Sequence, residues 1–204
     1  MLDQLKNLAG DESDFDLLAA TGAVQTGHFK LASGRHSPLY FQCARAFVDT
    51  TLGTQLGAKL ADRVRRDIGD DIDICIAPAM GGIIVGYEVA RQLECQSIFF
   101  ERKDGDFILR RGFQIPQGAR ILVVEDVVTT GGSLQTCIGL ARAHGANVVG
   151  ACSLLQRIGV ETTFDVPYTR LIALEAPSYD AQDLPASLAA QPITIPGSSV
   201  RQDA

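Results

Sequence analysis

From residue 72 onward, apolar runs rich in Ile, Val and Leu alternate with stretches of helical periodicity, and few architectures accommodate that alternation. The runs are Ile72 to Ala77, Ser97 to Glu101, Ile121 to Val124, Val148 to Leu155 and Leu171 to Leu174, each bounded by turn residues. Between them, Gly82 to Leu93 reads as a helix that is apolar on most sides. Leu134, Cys137, Ile138 and Ala141 mark another, stopping at Gly145. A strand buried on both faces reads as a continuous apolar run, so the pattern predicts an α/β fold with a central parallel sheet flanked by helices. In such sheets ligands bind beyond the carboxyl ends of the strands, so chemistry is expected just after each run.

The residues before this core read differently. A short helix is expected over Phe15 to Thr21, ended near Gly22. Phe29-Lys30-Leu31 and Leu39-Tyr40-Phe41 flank the turn from Ser33 to Pro38, which predicts a two-strand unit. Leu52, Leu56, Leu60 and Val64 share one helical face, so 50–66 reads as an amphipathic helix. Lys103 to Gly118 is rich in charge and glycine, has weak hairpin character and reads as an exposed, mobile excursion. The Pro- and Ser-rich tail after Ala176 is expected to be irregular. There is no internal repeat and no low-complexity tract.

Composition narrows the function classes. A chain of 204 residues fits one domain, or one with a small appendage, and buries a core without disulfides or a structural metal. Its formal charge of −6 disfavours nonspecific nucleic-acid binding, which needs a basic face. The five cysteines, at 43, 75, 95, 137 and 152, form no CxxC pair and signal neither a disulfide framework nor a zinc site. Cys75 and Cys152 lie inside apolar runs and read as small core residues. His28, His36 and His144 form no metal-binding pattern and read as turn or core residues. No signal peptide is visible, and the uncharged run Ile74 to Tyr87 has 14 residues where a membrane span needs about 20. A cytoplasmic location without membrane or nucleic-acid partners is expected.

The most informative segment is Ile121 to Ser133, ILVVEDVVTTGGS. Four apolar strand residues lead to Glu125 and Asp126, then Val127-Val128, then Thr129-Thr130-Gly131-Gly132-Ser133 and a helix. Small residues let successive backbone N–H groups converge at a helix N-terminus, which carries about half a positive charge and suits a phosphate. Neither a Walker loop nor a GxGxxG fingerprint is present. The acid pair needs a different ligand. Successive strand side chains point oppositely, so both acids serve one ligand only if the backbone bends there. Two carboxylates about 4 Å apart repel by about 4 kcal/mol at an effective dielectric of 20. Ligand hydroxyls or a divalent cation offset that. A sugar with vicinal hydroxyls and a phosphate fits; an ordinary strand-to-helix turn with an exposed acid pair is the alternative.

This 13-residue string resembles the phosphoribosyl-pyrophosphate motif of the type I phosphoribosyltransferases. Gly27 to Gln42, GHFKLASGRHSPLYFQ, resembles the base-binding segment of the orotate phosphoribosyltransferases, and Phe100-Glu101-Arg102-Lys103 the start of their mobile loop. The match runs from about residue 15 to 160. The resemblance implies a type I phosphoribosyltransferase fold with a small N-terminal hood. The hood and base-binding segment would span 1–66 and the α/β core 67–176, with a mobile loop at 102–115. The tail, 177–204, would pack near the hood.

It implies transfer of the phosphoribosyl group from phosphoribosyl pyrophosphate to orotate, giving orotidine 5′-monophosphate and pyrophosphate in pyrimidine biosynthesis. Mg²⁺ would be held mainly through substrate, with no direct protein ligand set. Glu125 and Asp126 would hold the ribose hydroxyls, and Val127, Val128, Thr129, Thr130, Gly131, Gly132 and Ser133 the 5′-phosphate. Thr129 would also approach orotate. Arg157, placed after the Val148 to Leu155 strand, would pair with the orotate carboxylate, and Tyr40 and Phe41 would lie against the ring. Arg102 and Lys103 would reach the pyrophosphate from the neighbouring subunit of a homodimer with shared sites. Lys103 and Asp126 are the implied catalytic pair.

Each assignment has a plainer reading. Arg157 and Lys103 read equally as solvated charges, and strand alternation turns either Tyr40 or Phe41 inward. Arg102, Lys103, Arg110 and Arg111 put four cations in ten residues of an acidic chain, which favours an anion partner. The chain also departs from its relatives. Gly81 and Ala32 stand where they carry lysines, and the loop is shorter and lacks their second lysine and histidine, for which Arg110 or Arg111 is the candidate replacement. A purine or other pyrimidine transferase is the alternative within this fold. A non-enzymatic regulator binding phosphoribosyl pyrophosphate is the alternative outside it.

Overall fold

The computed structural model describes residues 12–31, 33–158 and 162–196. All five apolar runs are strands of one sheet: β3 (Ile74–Pro78), β4 (Gln96–Lys103), β6 (Arg120–Val128), β7 (Asn147–Ile158) and β8 (Tyr168–Glu175). A short β5 (Asp106–Leu109) completes it in the order β5-β4-β3-β6-β7-β8. Every neighbouring pair is parallel except β4 with β5.

Helices cover both faces, which is why the strands are apolar throughout. α2 (Thr50–Asp67) and α3 (Gly82–Leu93) bury Leu56, Leu60, Val85 and Val89 against Leu122 and Val124 on one side. On the other, α4 (Gly132–Ala143) buries Leu134, Cys137 and Ile138 against Ile76, Ile121 and Val123. Each fully buried Leu, Ile or Val contributes roughly 1.5–3 kcal/mol. α2 starts where Asp49 accepts hydrogen bonds from the Thr51 and Leu52 N–H groups, a cap worth about 1 kcal/mol. Its buried stripe belongs to the same cluster as the core strands, so the packing runs through the boundary expected at residue 66.

The N-terminal layer is a small sheet. β1 (Val24–Lys30) pairs antiparallel with β2 (His36–Phe41), and β9 (Ile193–Thr194) adds to β1 in parallel. The expected two-strand unit is therefore present, with longer strands and a shorter turn. The tail is not wholly irregular: besides β9 it holds a one-turn α5 (Ala186–Ala189). A buried pair of rings fastens it. His28 Nδ1–H donates to the Gln191 carbonyl (3.2 Å), leaving Nε2 to accept from His36 Nδ1–H at 2.6 Å. α1 (Glu12–Ala20) is tied to α2 by the buried Asp14, which pairs with Lys59 and Arg63.

The segment after Lys103 is largely exposed, as expected, and holds regular structure. β4 and β5 form a hairpin whose Phe107, 5% exposed, joins the core on the α4 side, with the Arg102 guanidinium over its ring at 4.1 Å. Phe113 then packs edge-on against Phe99. Ala32 lies outside the described residues, as do 1–11, 159–161 and 197–204.

Candidate active site

β6 does not end before its acids. Its ladder with β7 continues to Val128 opposite Gln156, so Glu125 and Asp126 are strand residues. The expected bend is a change of phase within that strand. Val124 and Val127 both pack towards α2 and α3, whereas Val123 and Val128 pack towards α4. Glu125 lines a small cleft with Val127, Val128, Thr129, Thr130, Gly131, Gly132, Ser133 and Leu134. That cleft gathers every residue assigned from sequence to the phosphate cradle. Asp126 instead faces the loop before α3, where Gly81 approaches it closely.

The cleft is built at the N-terminus of α4. Gly131 caps the helix at φ 79°, a left-handed conformation that favours glycine. A Cβ there would also stand 2.6 Å from Thr162 Cγ2 and 3.0 Å from Phe164 Cζ. The 162–164 segment, which sequence reasoning did not single out, thus lies over the loop, and Thr162 Oγ1 donates to the Thr129 carbonyl (3.4 Å). The first-turn N–H groups of α4 face outward without helical acceptors, as at any helix start.

Glu125 is 7% exposed, and burial together with the neighbouring Asp126 pushes its pKa up to about 9. At neutral pH it holds a proton. Among the described residues no cluster of three or more His, Cys, Asp or Glu side chains is arranged to hold a metal. The chain therefore offers the Asp126 carboxylate, with the protonated Glu125 next to it in sequence and facing the cleft. That fits Mg²⁺, which is commonly held by one or two carboxylates with the rest from waters and substrate phosphates.

Arg102 approaches the cleft from β4. Its Nη2 donates to Ser133 Oγ at 3.4 Å and its Nη1 to the Gly105 carbonyl at 2.9 Å. Within its own chain Arg102 thus lies beside the phosphate loop, because α4 packs back over β3 and β5. Lys103 is exposed at the hairpin end. Arg110 and Arg111 both pair with Glu101, rather than facing the cleft.

Arg157 lies within β7, opposite Leu174, rather than beyond the strand. Its Nε and Nη2 donate to the Ala176 carbonyl (3.1 and 2.9 Å), and Nη2 also to the Pro177 carbonyl and Ser37 Oγ. Its partners among the described residues are neutral, and burial and the charge of Arg35 lower its pKa. A cation held among carbonyls without a carboxylate is primed for an anionic ligand. Arg35, another residue that sequence reasoning passed over, ties the β1–β2 turn to Ser178 and Asp180. The aromatic pair separates as strand alternation demands. Phe41 packs into the core, while the Tyr40 ring sits 5.5 Å from Phe29 and its hydroxyl donates to Gln42.

Comparisons with known proteins place this geometry. Residues 45–162 match the phosphoribosyl transferase domain, and that match defines the class. The orotate phosphoribosyltransferase of Erythrobacter litoralis is 41% identical over 191 residues, 94% of this chain and 99% of its own. That of Thermotoga maritima is 44% identical over 183 residues, 90% and 96% of the two chains. Among solved structures, the orotate phosphoribosyltransferase from Aeropyrum pernix superposes with a TM-score of 0.67 at 25% identity, covering 78% of this chain and 92% of that one. The chain belongs to the orotate phosphoribosyltransferase family. Among the described residues no helix is long and apolar enough to cross a membrane.

Proposed function

We infer that this chain joins orotate to phosphoribosyl pyrophosphate, forming orotidine 5′-monophosphate and releasing pyrophosphate, a pentosyl transfer in pyrimidine biosynthesis. The observation that carries the reading is the cleft formed by Glu125 and Val127 to Leu134 at the N-terminus of α4, with Arg102 beside Ser133 and Asp126 on the adjoining loop before α3.

The chemistry is a displacement at the anomeric carbon through an oxocarbenium-like transition state. Orotate supplies a stabilised ring anion, so no strong base is required. The N–H groups and hydroxyls of Thr129 to Ser133 bind the 5′-phosphate, and Glu125 and Asp126 take the ribose hydroxyls. Mg²⁺, when bound, neutralises the leaving pyrophosphate. Glu125 and Asp126 are the residues that would meet it, directly or through water. Backbone N–H groups at Gly81 and Gly82, which open α3, face the same leaving group. Arg102 adds charge beside Ser133, and Lys103 reaches the pyrophosphate of a neighbouring subunit. Arg157 pairs with the orotate carboxylate while Tyr40 and Thr129 border the ring. Residues 102–115 act as the closing loop that excludes water and protects the ribosyl cation from hydrolysis.

The working form is a homodimer, in a cytoplasmic setting. Ile84 (48% exposed) and Tyr87 (60%) lie about one turn apart on α3, and Met80 (83%), just before the helix, and Val48 (82%) are further exposed apolar side chains. An apolar stripe of that kind is suited to a second copy.

The direct test mixes protein, Mg²⁺, orotate and phosphoribosyl pyrophosphate and follows the loss of orotate absorbance. A parallel screen over uracil, hypoxanthine and adenine should show no turnover. Activity on one of those bases without activity on orotate overturns the reading.

A further inference from the structure

We propose that Cys75 and Cys95 form a reversible disulfide, a modification site outside the reaction centre. Their sulfurs lie 3.6 Å apart. Twenty residues separate them in sequence, and the parallel pairing of β3 with β4 brings them together: Ile74 stands opposite Gln96 and Cys75 opposite Ser97. Cys75 is fully buried, whereas Cys95 is only partly covered.

The two thiols are unlike, as an attacking and a resolving thiol should be. The hydrogen bond with Cys75 holds Cys95 below the ordinary thiol value. That same bond, with burial, pushes Cys75 well up. The other three thiols are buried, and burial raises each of them, Cys137 to about 12. Thiolate character and access, which govern thiol reactivity, therefore converge on Cys95.

A hydroperoxide is the oxidant. The Cys95 thiolate attacks one peroxide oxygen, the O–O bond breaks, and the departing hydroxide takes a proton to become water. Cys95 is then a sulfenic acid. Cys75 loses its proton and attacks that sulfur, the S–S bond forms, and a second water leaves. Two thiols and one hydrogen peroxide give one disulfide and two waters. A dithiol reductant reverses the step by exchange.

Closing the bond requires the sulfurs to approach by roughly 1.5 Å from their 3.6 Å separation. Cys95 is placed to move. It lies in the short connection from α3 to β4, after Glu94 at φ 56°, whereas Cys75 is fixed in a central strand. The bond would join the amino-terminal parts of β3 and β4, away from the strand ends where Asp126 meets Gly81. The catalytic groups are therefore left in place.

The test treats the full-length protein with hydrogen peroxide, alkylates it in denaturant, and compares intact mass with a non-reducing peptide map. The expected product has lost two hydrogens, blocks two thiols, contains a linked Cys75–Cys95 peptide, and returns to five free thiols with dithiothreitol. Cys95→Ala should abolish the link. Cys75→Ser, whose hydroxyl can donate to Cys95 in place of the thiol, should leave Cys95 as a sulfenic acid trapped by dimedone. Wild-type protein that keeps five alkylatable thiols, oxidises Cys95 without a linked peptide, or links another pair overturns the proposal.

Discussion

Gly81 and Asp126 occupy the same space: a Cβ on Gly81 would stand 2.5 Å from Asp126 Oδ2 and 2.8 Å from its Cγ. The carboxylate thus leans on a backbone that carries no side chain, at the start of α3. A side chain at 81 and this placement of Asp126 exclude one another, which gives a physical account of the glycine at 81. Gly81→Ala should displace the carboxylate while leaving the sheet intact. Misplacement of about 1 Å can cost about a hundredfold in rate, so kcat/KM should fall by about 10–100-fold with an unchanged melting temperature. Steady-state kinetics and thermal melts on the same samples check both halves.

Asp126→Asn keeps the shape and removes the charge. Asp126 is only partly buried, so the fold has little stake in that charge. Lys103 is exposed and equally dispensable for packing. Each of Asp126→Asn and Lys103→Ala should lower turnover by about a hundredfold, the scale of losing one preorganised charge, while circular dichroism and melting stay at wild-type values. Near-normal turnover in both variants would remove these residues from the reaction.

Glu125 gives the chain a pH-dependent stability of unusual sign. Its pKa in the fold is about 9, against an ordinary 4.5. Between those values the folded state holds a proton that the unfolded state has released. Stability from this group is full below 4.5, falls as pH rises, and is lost through about pH 9. Glu125→Gln, which mimics the protonated form, should melt with a flatter pH profile than wild type and should be the more stable of the two at about pH 9. Thermal melts from about pH 5 to about pH 9 measure the difference, and parallel profiles for the two proteins would place the proton elsewhere.

How much of this was legible in the sequence depends on range. The strands of the parallel sheet and the cradle at Val127 to Ser133 are encoded locally, by apolar runs and by a Gly/Thr/Ser string with one physical use. Those came through with element ends shifted by a few residues. What the sequence did not reveal depends on contacts between distant segments. Thr162 and Phe164 lie over Gly131, and Arg102 reaches Ser133 across 31 residues. Arg35 influences Arg157, and Gly81 receives Asp126. None carries a periodic signal. The Tyr40–Phe41 pair shows the limit from the other side: alternation requires one ring to turn inward, and only the packing of Phe41 beside the core decides which. Arg110 and Arg111 read as free loop cations until Glu101, on the paired strand, is seen to hold both.

The apolar stripe on α3 yields a prediction about assembly. Ile84 and Tyr87 are exposed on a helix whose opposite face is buried, so charges placed there should leave the monomer folded. Ile84→Asp with Tyr87→Asp should shift sedimentation from dimer to monomer at micromolar concentration. If Lys103 serves a neighbouring site, the same change should lower activity in step with dissociation, and activity should recover as protein concentration rises. A folded, fully active monomer would separate catalysis from assembly.

Arg157 tests substrate choice most sharply. Its guanidinium already donates to two carbonyls and to Ser37 Oγ, and Ser37 in turn donates to the Pro177 carbonyl. These contacts hold the fork in one orientation. An orotate carboxylate meeting it gains a charge-assisted contact that uracil does not. Arg157→Lys keeps a charge but has no planar fork, so the KM for orotate should rise by about 10–100-fold while the KM for phosphoribosyl pyrophosphate changes by less than about threefold. A loss confined to kcat, or an equal rise in both KM values, would make Arg157 a structural brace between β7 and the Ala176–Pro177 segment and leave the carboxylate to another cation. Guanidinium ion added to the Arg157→Ala variant supplies the complementary readout: it should restore orotate turnover in a concentration-dependent way, as a brace holding two backbone segments would not allow.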